Sequence, residues 1–71
     1  MSNNMNSYNL IDKNYNDCVL YHAIAMNEEQ VIELAEQSGI DLTDIIIELE
    51  RSNVKDHLGR PYTARIEDAR V

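Results

Sequence analysis

The chain has no phenylalanine and no tryptophan, a single cysteine, and six lysine and arginine residues against thirteen acids. Each shortage excludes something. Without Phe or Trp, 18 Leu, Ile and Val residues among 71 must supply the core, with four tyrosines as the large rings. A chain of this length buries about 60% of its unfolded surface, so stability rests on a small core or on a partner. A lone Cys18 leaves no disulfide framework within the chain and fits a reducing, cytoplasmic compartment. No apolar run reaches the roughly 18 residues of a membrane span. The opening Met1-Ser-Asn-Asn-Met-Asn lacks the basic and apolar regions of a signal peptide. The formal charge of −7 opposes a sequence-independent grip on nucleic acid or on an anionic membrane.

The charge that is present is unevenly placed. Residues 1–26 carry a net −1 and residues 54–71 a net +1, whereas residues 27–53 carry eight acids against Arg51, a net −7. Acidity is therefore a property of one segment.

Six of the eight asparagines fall in the first sixteen residues. Asn competes for its own backbone and favours turns, so residues 1–14 are expected to form a flexible arm ahead of one small domain over 15–71. Asn16 or Asp17 caps the next segment, where Val19, Ala23 and Met26 share one side of a helix and Leu20 and Ile24 another. A helix over roughly 16–26 results, with a buried strand through Cys18–Ile24 as the competing reading.

Residues 28–38 carry a full set of helix signals. Asn27 is an N-cap, Gln30 its capping-box partner, and Glu28 and Glu29 complement the dipole. Met26 and Val31 are spaced for a hydrophobic staple, and Gly39 supplies a left-handed C′ residue. A third helix over 42–52 follows from the spacing of Leu42, Ile45, Ile46 and Leu49, although three consecutive isoleucines also suit a strand. Asn53 tolerates the left-handed conformation that stops it. Residues 54–62 read as a connection with a turn at Leu58–Pro61, and Thr63 caps a short final helix, Ala64–Arg70. The expected fold is all-α: three helices and a short C-terminal one.

Between Leu34 and Ile45 the chain spells Leu-Ala-x-x-x-Gly-Ile-Asp-x-x-x-Ile. Residues 30–49 thereby resemble the helix-turn-helix hairpin of small bacterial and phage regulators. The resemblance implies two closely crossed helices, the second lying in the DNA major groove. In this chain that second helix would begin Asp41-Leu42-Thr43-Asp44 and continue through Glu48 and Glu50, which repels phosphate. Direct nucleic-acid contact is disfavoured. A DNA-binding regulator remains the alternative, with Lys55, Arg60, Arg65 and Arg70 on phosphates.

Cys18, His22 and His57 are too few and too widely spaced for a zinc site, and no Gly-rich loop accompanies them for catalysis. A small buried thiol and a partly exposed imidazole are the ordinary reading, so no cofactor, metal or enzymatic activity is expected. The function indicated is a non-catalytic intracellular regulator or inhibitor, of the kind found as phage or plasmid accessory proteins. It would bind another protein with a basic surface, such as a nucleic-acid-binding protein, through Glu29, Glu33 and Glu36 with Asp44 and Glu48. Ile47, which fits no apolar face of its own helix, and Tyr8 in the arm would serve as anchors. A homodimer through the first helix would enlarge the small core.

Overall fold

The computed structural model describes residues 4–15 and 18–69. It is a four-stranded antiparallel sheet with one helix on one of its faces. In chain order the elements are β1 (Asn6–Asp12), β2 (Cys18–Ala25), α1 (Glu28–Gln37), β3 (Ile45–Arg51) and β4 (Arg65–Asp68). The sheet order is β3-β1-β2-β4, so the first two strands lie inside and the last two form the edges. The all-α expectation is overturned at three of its four helices.

The helix that exists is the one whose signals are all local. Gln30 N–H donates to Asn27 Oδ1 at 2.9 Å, and Gln30 Oε1 accepts from the Met26 N–H at 2.7 Å. At the other end Gly39 has φ 73°, and the N–H groups of Gly39 and Ile40 reach Glu36 O and Ala35 O, a Schellman close. Val31 and Ala35 on its inner face are fully buried.

The segment predicted as a first helix over 16–26 is instead the interior strand β2 among the described residues; its suggested caps, Asn16 and Asp17, lie outside them. The first helix through which a homodimer was expected is therefore absent among the described residues. The predicted helix over 42–52 is edge strand β3, which removes the second helix of the helix-turn-helix hairpin. The predicted helix over 64–70 is edge strand β4, with Arg70 outside the described residues. The presumed arm holds β1, the strand on which both β2 and β3 pair.

Alternation assigns the two faces of the sheet. Leu10 aligns with Tyr21 and Ile47, and Tyr8 with Ala23 and Leu49, on the face that α1 covers. Tyr8, Leu10, Ala23, Ala25 and Val31 form the core, with Tyr21, Leu34, Leu42, Ile45, Ile47 and Ile66 packed around them. Two bulges interrupt the alternation: Leu20 is the extra residue of β2 opposite Leu10/Ile11, and Glu50 the extra residue of β3 opposite Ser7/Tyr8. Among the described residues no helix is long and apolar enough to cross a membrane.

Candidate functional site

Two surfaces carry chemistry, one on each side of the sheet. On the outside of α1, Glu29, Glu33 and Glu36 share the exposed face, Ile32 beside them is 37% exposed, and no basic residue stands in the last turn. The helix alternates inward Val31 and Ala35 with these acids because only one stripe of it meets the sheet.

The open face of the sheet is built in three cross-strand rows. Ile46, Ile11 and Val19 make an apolar end. Glu48, Asn9, His22 and Glu67 make a polar middle, in which Asn9 Oδ1 stands 2.8 Å from His22 Nδ1. Arg51, Ser7, Ile24 and Arg65 make the third row. The bulge at Glu50 lets both Glu50 and Arg51 stand opposite Ser7, and Ser7 Oγ donates to Glu50 Oε2 at 2.7 Å.

The β3–β4 connection closes over this third row. Asn53, at φ 55°, donates its N–H to Asn6 Oδ1, and the Val54 N–H donates to Met5 O at 2.7 Å. Lys55 then bridges Pro61 across a turn held by Asp56. The backbone N–H groups of Leu58 and Arg60 donate to Asp56 Oδ1 at 2.9 and 3.0 Å, and Arg60 Nε pairs with Oδ2 at 3.2 Å. The Arg60 N–H, opposed by desolvation and helped further by the Leu58 N–H and the Arg60 guanidinium, holds the Asp56 carboxyl below its ordinary range. Thr43 does the same for Asp41 through its N–H and hydroxyl. Both are turn-stabilising carboxylates.

The result is an open groove of about 440 Å³ with Arg51, Lys55 and Arg65 on its walls. Tyr62 also lines it, and its ring lies 5.8 Å from the Arg65 guanidinium carbon. A smaller groove of about 370 Å³ adjoins it, sharing Tyr62 and Arg65 and adding Arg60.

The residues expected to form one partner surface are dispersed. Glu29, Glu33 and Glu36 do share a face. Asp44 occupies the turn before β3 at φ 61°, and Glu48 lies on the open side of the sheet, across the core from α1. Ile47 packs inward against the core, and Tyr8 is 5% exposed at its centre, so neither is an external anchor. Cys18 is exposed rather than buried. Among the described residues no group of three His, Cys, Asp or Glu side chains is placed to hold a metal ion. Ser7, Ile24, Arg51 and Tyr62 escape sequence reasoning as groove residues. The clustering of Lys55, Arg60 and Arg65 was the legible trace of them. Comparison with protein-family models, with curated proteins and with solved structures finds no match in any of the three.

Proposed function

We propose that the chain is a non-catalytic binding module, a small regulator that docks the outer face of α1 on a basic surface of another protein. The observation that supports this reading is the composition of that face: Glu29, Glu33 and Glu36 with an exposed Ile32 and no cation to offset them. Charge of one sign on a rigid helix speeds encounter with a basic partner, and a neighbouring apolar side chain supplies area to bury. Nucleic-acid-binding proteins present such basic surfaces and are the partner class this chemistry fits. An exposed free thiol at Cys18 fits a reducing intracellular setting.

The test is capture of partners from lysate by the wild-type chain and by a Glu29→Gln/Glu33→Lys/Glu36→Lys variant whose far-ultraviolet spectrum matches wild type. The reading predicts a basic partner whose binding weakens as salt rises from about 0.05 to 0.3 M, and which the variant loses. A partner retained by that variant overturns it.

A further inference from the structure

The groove on the opposite side of the sheet does not depend on the α1 reading. The described residues include five cations, Lys13, Arg51, Lys55, Arg60 and Arg65, in a chain of net charge −7. Four of the five line the two adjoining grooves, and Lys13 stands apart in the β1–β2 turn. Dispersal would lower their mutual repulsion and place each beside an acid, so their convergence calls for a counter-charge.

Their pairing points the same way. Among the described residues Arg60 is held by Asp56 and Arg65 by Glu67, each at 3.2 Å, whereas Arg51 and Lys55 have no carboxylate within ion-pair distance. Glu50 is the one acid on the groove wall, and its carboxylate is engaged by the Ser7 hydroxyl. Arg51 and Arg65 lie at the two ends of a single cross-strand row, with Ser7 and Ile24 between them as a floor. Lys55 is carried above that floor on a backbone tied to Met5 and Pro61. Arg51, Lys55 and Arg65 thus line one groove from three separate points of the backbone.

We propose that this groove binds the phosphate group of a small phosphate-bearing molecule, with Arg51, Lys55 and Arg65 as its ligands. Guanidinium forks match phosphate oxygens in pairs, and three cations against Glu50 on the wall and Glu67 beside Arg65 leave a net positive charge that draws an anionic phosphate. A volume of about 440 Å³ accommodates a small ligand. A polynucleotide fits less well, because the adjacent row presents Glu48 and Glu67 where its next phosphates would run.

The experiment is an amide-resolved NMR titration of the full chain at constant ionic strength, with pyrophosphate, a nucleoside monophosphate and a single-stranded octanucleotide as separate probes. Saturable shifts at Ser7, Arg51, Lys55 and Arg65 with the two small probes are expected, weakened at least about tenfold in Arg51→Gln/Lys55→Gln. The same shifts persist in the α1 charge variant. Linear drift without saturation overturns the proposal, as do equal affinities in wild type and the groove variant. Tighter binding of the octanucleotide than of either small probe overturns it in favour of a nucleic-acid surface.

Discussion

Ile46 and Ile47 are adjacent, chemically identical, and opposite in what they do. As a strand, β3 turns Ile47 against the core on the α1 side of the sheet and leaves Ile46 on the open face, 40% exposed. As a helix, the same residues would exchange roles, with Ile46 joining Leu42, Ile45 and Leu49 on the buried side. Threonine is the appropriate probe, since it keeps β-branching and so leaves strand preference intact. At position 47 it removes part of a packed side chain and places a hydroxyl at the edge of the core, a cost of about 2 kcal/mol. At position 46 the cost stays within about 0.5 kcal/mol, as for most surface changes. A single small core rarely supplies more than about 3–5 kcal/mol, so Ile47→Thr removes a large share of the total. The expected signature in thermal unfolding is a Tm lowered by about 8–16 °C for Ile47→Thr. Urea unfolding gives the free energies directly, provided the slopes of the transitions agree. If Ile46→Thr proves the more damaging of the two, β3 is not a strand in this register and the sheet assignment falls with it.

Leu10→Ala leaves a cavity at a fully buried site between β2 and β3, costs about 3 kcal/mol, and should lower the Tm read by circular dichroism by about 12–24 °C. Asn27→Ala strips the α1 cap and costs about 1 kcal/mol in urea unfolding, whereas Asn27→Ser restores nearly all of it. The Asp56 carboxyl, held below its ordinary value of 3.8, contributes order to the β3–β4 connection that is present above that pH and lost as pH falls below it. The amide shifts of Leu58 and Arg60 should therefore titrate with a midpoint under 3.8, and Asp56→Asn should abolish the transition; a midpoint at or above 3.8 refutes the capping role.

Helix α1 was legible because Asn27, Gln30, Gly39 and Ile40 each act within a few residues of the element they define. The strands depend on partners far along the chain. Asn6 and Asn9 read as turn formers, yet Asn6 Nδ2 donates to Met26 O and Asn6 Oδ1 accepts from Asn53, while Asn9 faces His22. No local rule sees those contacts. Alternation was blurred for two physical reasons. The open face is apolar at Ile11 and Ile46, so β1 buries residues on both sides and β3 carries isoleucine on both, and the bulges at Leu20 and Glu50 shift parity within a strand. The remaining spacing of Leu42, Ile45, Ile46 and Leu49 then mimicked a helix. Of the two surfaces, the α1 acids followed from helical periodicity. The groove did not, because Arg51 counted as one cation in an acidic segment until pairing with Ser7 placed it opposite Arg65.

The position of β1 has a consequence for synthesis on the ribosome. It is the earliest of the four strands to be made, yet it is flanked on one side by β2 and on the other by β3, which is completed only at Arg51. While α1 is being made, β1 and β2 can pair as a hairpin, but two strands alone are marginal in water. The edge of β1 that awaits β3 includes Tyr8, Leu10 and Ile11, all buried in the finished molecule. The nascent chain therefore exposes its stickiest strand for longest, and slow translation between Gln37 and Arg51 is the interval in which a chaperone has most to protect.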